Sequence, residues 1–304
     1  MSSELTKRVV FGVVAAPIAI GILLYGGWPL AALLAMTSAV GAWEFFRIAR
    51  AAGFNPLDDV GIVVAGLIPL IVYARFLRIY DPNRTISALS LSVLFLLGLL
   101  GLVIWVRGVN GRPLGAVATT AFGAAYTGGM LSYGYAIRYH DYAFAPAGLH
   151  VFGRLVHVSS GGLLLLLPVF LTWASDIGAY AVGRTMGKRK LIPAVSPGKT
   201  VEGAIGGLVA SMVVAWIYTR GVLHPAAQLD FRLPPFGVLL FGALVSVAAQ
   251  VGDLAESLLK REAGLKDSSH IIPGHGGILD RFDSLLFVLP VSFVVLGAML
   301  VWAP

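Results

Sequence analysis

The run KDSSHIIPGHGGILDRFDSLLFVLPVSFVVLGAMLVW, Lys266 to Trp302, joins two segments of opposite character. Its first nineteen residues carry two Lys/Arg, three Asp, two His and three Gly, and its last eighteen carry no charge. Eighteen apolar residues rising about 1.5 Å each cover most of a hydrocarbon layer about 30 Å thick. The second part therefore reads as a membrane-spanning helix. The first part is a polar loop gathered at its mouth, and that loop poses the functional question.

Working outward, the rest of the chain repeats the apolar part. Of 304 residues, 58% are hydrophobic and 12% charged, and the mean hydropathy is +0.86. A soluble domain carries about twice that charge fraction. In lipid every backbone N–H and C=O must be paired within the protein, so spans are helices or closed barrels. Here the apolar runs are continuous rather than alternating, which selects helices. The fold class is an all-α polytopic membrane protein.

The pattern predicts about nine spans, at residues 9–26, 28–46, 60–77, 86–106, 114–137, 160–183, 200–219, 236–259 and 284–302. The first is read as an uncleaved span. With the N-terminus cytoplasmic, fifteen of the 22 Lys and Arg fall on the cytoplasmic side and seven on the other, the bias that orients membrane proteins. The fifth span is rich in Gly, Ala and Thr, and reads either as a packed interior helix or as a dimer face. Residues 138–159 read as an interfacial loop. Glu44 reads as an ordinary i, i+3 partner of Arg47.

The net charge of +7 belongs to basic loops that meet anionic lipid, and nucleic-acid binding is excluded for lack of a basic, aromatic-interleaved domain. With no Cys, thiolate metal sites and cysteine nucleophiles are excluded. Chemistry is expected in the second half. Residues 1–159 are assigned to packing, dimer contacts and lipid access, and 160–304 to catalysis, with cytoplasmic loops 184–200 and 260–283.

Four features carry that expectation. Asp176 lies inside the sixth span, toward its cytoplasmic end, where a carboxylate is costly unless used. Ser196-Pro-Gly-Lys199-Thr200 precedes the next helix, whose free N–H groups and dipole favour phosphate. It is no Walker motif, because Pro193 stands where the first glycine is required. Asp253, Glu256, Ser257 and Lys260 recur at i, i+3, i+4 and i+7, one helical face that turns to a polar cavity or a partner helix. Asp280 and Asp283 open the last span after the Pro-Gly-His-Gly-Gly turn, close in sequence to Asp267, His270 and His275. Hard cations explain such oxygen groups best: Mg²⁺ binds one or two carboxylates, water and substrate phosphates. Asp253, Ser257 and Asp280 form the expected ligand set. Zn²⁺ is disfavoured without Cys or a suitably spaced His pair.

Together these residues resemble a known family. The run SLLKREAGLKDSSHIIPGHGGILDRFDS, Ser257–Ser284, is similar to the signature of the CDP-diacylglycerol synthase (phosphatidate cytidylyltransferase) family. SDIGAYAVGR, SPGKTVEGAIGG and VGDL upstream resemble it too. The likeness covers about residues 170–290; the first half matches only in being hydrophobic. It implies an enzyme that joins CTP to phosphatidic acid, giving CDP-diacylglycerol and pyrophosphate, with Mg²⁺ at Asp253, Ser257 and Asp280. K⁺ is implied as a second cation, and Lys199, Lys266 and Arg281 match the family's basic positions.

The expected catalytic residues are Asp253, Asp280, Lys266, Asp267 and Arg281. The expected substrate-binding residues are Asp176, Lys199, Ser196, Thr200, Lys260, His275 and Asp283. Asp280→Asn is expected to abolish turnover with the fold intact. A homodimer in the inner (plasma) membrane, its site facing the cytoplasm, completes the expectation. The alternative is a cation- or proton-coupled transporter using Asp176 and the acidic stripe.

Overall fold

A computed structural model describes residues 3–77, 79, 87–139, 146–151, 154–227, 235–272 and 276–301, with backbone alone for 3–12, 146–151, 154–158, 226–227 and 300–301. Helices stand at each of the nine expected places: α1 (Ser3–Tyr25), α2 (Gly27–Ala51), α3 (Asp58–Phe76), α4 (Ala88–Val106), α5 (Pro113–Ala124) continuing through a π-turn into α6 (Met130–Tyr139), α7 (Ser160–Met186), α8 (Val201–Tyr218), α10 (Pro235–Glu262) and α11 (Leu279–Val301). A one-turn α9 (His224–Ala227) follows α8.

Among the described residues, seven helices are long and apolar enough to cross a membrane: α2, α3, α4, α7, α8 with its extension to Leu223, α10 and α11. Helices also stand at the other two expected places, outside these seven. In α1 the apolar helix with described side chains is Val13–Tyr25. The fifth runs from Pro113 to Tyr139 through the π-turn at Ala125–Gly129.

Two small hairpins interrupt the helices. β1 (Pro146–Val151) pairs antiparallel with β2 (Arg154–Ser159), from Pro146↔Ser159 to Val151↔Arg154. This corrects the loop expected at 138–159. Leu149, Val151, Val156 and Val158 alternate with His150, Leu155 and His157, a partial period of two that favours strands in a segment too polar for a span. β3 (Lys190–Ile192) pairs with β4 (Ser196–Thr200) across an irregular register, immediately ahead of α8.

The chain forms two compact units. The first comprises residues 1–26, 136–258 and 282–304; the second comprises 27–135 and 259–281.

In the first unit, α7 and α8 lie closest. A Cβ at Gly178 would stand 2.8 Å from the Gly206 carbonyl, and one at Gly206 would stand 2.5 Å from the Val182 side chain. Small residues here let the two backbones touch, the usual source of helix association where lipid removes the hydrophobic drive. Ser211 Oγ donates to the Gly242 carbonyl at 2.8 Å, tying α8 to α10, and Tyr218 Oη donates to the Leu163 carbonyl at 2.8 Å. Arg138, buried, donates to the Leu23, Leu24 and Tyr25 carbonyls at 2.8, 2.6 and 2.9 Å and so closes the C-terminal end of α1.

In the second unit one face of the fifth span is packed inside. Ala116, Val117, Thr120, Gly123 and Ala124 are buried, and Thr120 Oγ1 accepts from the Leu57 amide at 2.8 Å. Phe45 packs edge-on against Phe46, with centroids 5.5 Å apart. By contrast α4 buries only Leu99 and Val103 and turns Leu89, Leu97, Ile104 and Trp105 outward. An uncharged helix apolar around its circumference belongs in lipid.

Candidate active site

The residues singled out from the sequence divide between the two units. Asp176, Ser196, Lys199, Thr200, Asp253, Ser257 and Asp283 belong to the first unit; Lys260, Lys266, Asp267, Asp280 and Arg281 belong to the second. His275 lies outside the described residues.

In the first unit, Thr200 ends β4 and starts α8. Its extended backbone and its hydroxyl, accepting from the Gly203 amide at 3.1 Å, make it the helix N-cap. Glu202, in the first turn, accepts from the Lys188 and Arg189 amides at 3.0 and 3.1 Å and so folds the β3–β4 hairpin back onto the helix start. That hairpin delivers Lys199, whose Nζ lies 2.6 Å from Asp253 Oδ2 on α10. Ser257, one turn on, lies 3.4 Å from Asp253 Oδ1, a long contact for a hydrogen bond. Asp176 on α7 is exposed and near enough to both Asp253 and Lys199 to feel their charges. Ser196 is half-buried in β4. Asp283 Oδ1 accepts from the next amide, Ser284 N, at 2.5 Å.

A polar ladder runs along α10 to this cluster and was not singled out from the sequence. Ser175 and Ser246 hydroxyls meet at 2.8 Å, and Gln250 Nε2 donates to Ser246 Oγ at 3.1 Å and to the Ala204 carbonyl at 3.2 Å. Ser246, Gln250, Asp253 and Ser257 recur at i, i+4, i+7 and i+11, a single helical face. That spacing was the available signal.

In the second unit, Asp280 is the hub. Oδ1 accepts from Lys260 Nζ at 2.6 Å and from the Ser268 amide at 3.3 Å. Oδ2 accepts from the Ser268 amide at 3.0 Å, Ser268 Oγ at 3.0 Å and the Gly277 amide at 2.8 Å. The Lys260 and Asp280 side chains are only 10% and 7% exposed, against 27% and 34% for Lys199 and Asp253. Lys266 and Arg281 are exposed and Asp267 is half-buried. Ile272 bridges Gly276, whose φ of +82° suits glycine.

Glu44 corrects the sequence reading. It is fully buried rather than a surface partner of Arg47. Its oxygens accept from Ser269 Oγ, from Ser268 Oγ at 3.0 Å, from the Ile278 amide at 3.0 Å and from the Leu279 amide at 2.6 Å. Nothing in the local sequence around Glu44 announces partners more than two hundred residues away.

A hard cation calls for oxygen donors. Among the described residues no three His, Cys, Asp or Glu side chains gather as a metal-holding group. Asp253 with Ser257 fits one: an all-oxygen pair, partly open, whose carboxylate already draws an ammonium to 2.6 Å. Asp280 has the same demand, met by Lys260 at 2.6 Å, so a cation reaches it only by taking the lysine's place.

Comparison with known proteins places the chain in a family. A family model described as the cytidylyltransferase family matches residues 6–299. A phosphatidate cytidylyltransferase of Synechocystis sp. is 32% identical over 302 residues, covering 96% of this chain and 97% of the relative. One of Bacillus subtilis is 33% identical over 299 residues, covering 97% and 98%. One of Haemophilus influenzae is 52% identical over 130 residues, 42% of this chain and 44% of the relative.

Proposed function

Because the chain belongs to the cytidylyltransferase family, we propose that it joins CTP to phosphatidate, leaving CDP-diacylglycerol in the membrane and releasing pyrophosphate. The observation that carries this reading is likeness to two phosphatidate cytidylyltransferases over nearly the whole chain. The transporter alternative finds no support in these relatives.

A phosphatidate oxygen, already anionic at neutral pH, attacks the α-phosphorus of CTP. The bond from that phosphorus to the oxygen bridging the β-phosphate breaks, and pyrophosphate carries away the charge. No general base is required, so the protein's work is alignment and charge neutralisation. Lys199, at the amide-rich start of α8, is the group proposed to meet the triphosphate, with Thr200 and Ser196 beside it in sequence. Lys266 and Arg281, both exposed, are further phosphate partners. Asp176, Lys260, Asp267, His275 and Asp283 are assigned to the surrounding binding surface.

Asp253, Ser257 and Asp280 are the proposed holders of Mg²⁺. What supports this is their oxygen chemistry and the cation each carboxylate already keeps at 2.6 Å. When bound, the ion supplies neutralisation of triphosphate oxygens. K⁺ is proposed as a second cation. Nine crossings with a cytoplasmic N-terminus, in the plasma membrane, fit the basic bias of the loops. A homodimer is proposed from the family likeness alone.

Purified protein in detergent, given nucleobase-labelled CTP, phosphatidate and Mg²⁺, should yield label in the organic phase only when all three are present. Cation flux in vesicles without CTP turnover would overturn the reading.

A further inference from the structure

Among the described residues, Glu44 reaches from the first half of the chain to the segment that carries Asp280. Glu44 sits within α2, a membrane-length helix, and is 0% exposed. A carboxylate kept in such a place is costly unless its oxygens are fully used. They are: every donor named above comes from residues 268–279, and two of them, the Ile278 and Leu279 amides, are free N–H groups at the start of α11. Glu44 thus caps α11 from another helix.

The next residue along is Asp280. Ser268 Oγ lies 3.0 Å from Glu44 Oε2 and 3.0 Å from Asp280 Oδ2, so one hydroxyl proton is shared between two carboxylates. Any shift of Glu44 moves a donor of Asp280. Gly277 completes the fit: a Cβ there would fall onto Ser268 Oγ and Glu44 Oε1. The turn can close around Glu44 only with glycine at that position.

We infer that Glu44 is a positioning residue for the transfer reaction. It fixes the Ser268–Ser269 turn and the first residues of α11 in the register that presents Asp280. The catalytic half of this inference rests on the function proposed above; the anchoring half does not.

The test uses the full chain in detergent. Glu44→Gln keeps the size but turns one acceptor into a donor facing donors. Its kcat should fall about 10²-fold, the scale of a misplacement near 1 Å, while KM for CTP stays within about threefold. The Mg²⁺ concentration giving half-maximal rate should rise. Hydrogen exchange at Ile278 and Leu279 should quicken while α2 stays protected. Glu44→Asp should recover part of the rate. Arg138→Met, a buried change in the other unit, controls for lost stability: it should lower activity only as folded protein is lost.

A folded Glu44→Gln protein with wild-type kcat and wild-type exchange at Ile278 and Leu279 would overturn the inference. So would a rate that merely tracks the folded fraction, as in the control. Were the wild type to turn over no CTP, the function reading would fall. Exchange at those two amides would then still decide the anchor: faster in Glu44→Gln supports it, unchanged refutes it.

Discussion

Asp253 and Asp280 each hold a lysine at 2.6 Å, yet their surroundings set different outcomes for the same mutation. The Lys199–Asp253 pair is about a third open, and pairs of that kind contribute about 0–1 kcal/mol. Asp253→Asn should therefore leave the unfolding midpoint nearly unchanged while lowering kcat by at least about 10²-fold, the scale of a lost charge-stabilising contact. The Lys260–Asp280 pair is closed, and removing one partner of a buried pair costs about 3–5 kcal/mol. Asp280→Asn should thus lose both activity and thermal stability. Thermal unfolding run beside the turnover assay separates the two. The acids themselves were legible in the sequence, because charge is conspicuous in an apolar chain. Glu44 was not: its partners lie more than two hundred residues away, and beside Arg47 it mimics a surface pair.

At the scale of elements, long apolar periodicity placed the helices well, since a membrane leaves few alternatives for a run of eighteen apolar residues. What it missed was short. The β1–β2 hairpin depends on pairing between segments each too brief to signal alone, and the π-turn at Ala125–Gly129 leaves no mark in hydropathy. The contact between α7 and α8 matters most for the site, because Lys199 and Thr200 lead directly into α8 and α7 carries Asp176. Gly206→Leu would force the Val182 side chain aside and wedge the helices apart. Overpacking of this kind costs about 1–3 kcal/mol. The variant should unfold earlier and lose most of its turnover, whereas Gly221→Leu, where a Cβ meets nothing, should do neither. An active, fully stable Gly206→Leu protein would remove α7–α8 packing from the account.

For the whole molecule, the orientation proposed from charge bias is testable with little background, because the chain has no Cys. Val109→Cys and Ile79→Cys both place a thiol at an exposed position. In intact cells a membrane-impermeant thiol reagent should label Ile79→Cys and spare Val109→Cys until the membrane is opened. The reverse pattern would invert the topology and put the CTP-facing residues on the wrong side.

The central claim is that a lipid phosphate attacks the α-phosphorus of CTP. Following two labels in parallel tests it most directly: CTP carrying ³²P at the α-position, and CTP carrying it at the γ-position, each incubated with the purified chain, phosphatidate and Mg²⁺. The account predicts that α-label enters the lipid phase and γ-label is recovered wholly as pyrophosphate, with both signals lost on chelation. Label from the γ-position in lipid, or α-label transfer that survives chelation, would contradict it.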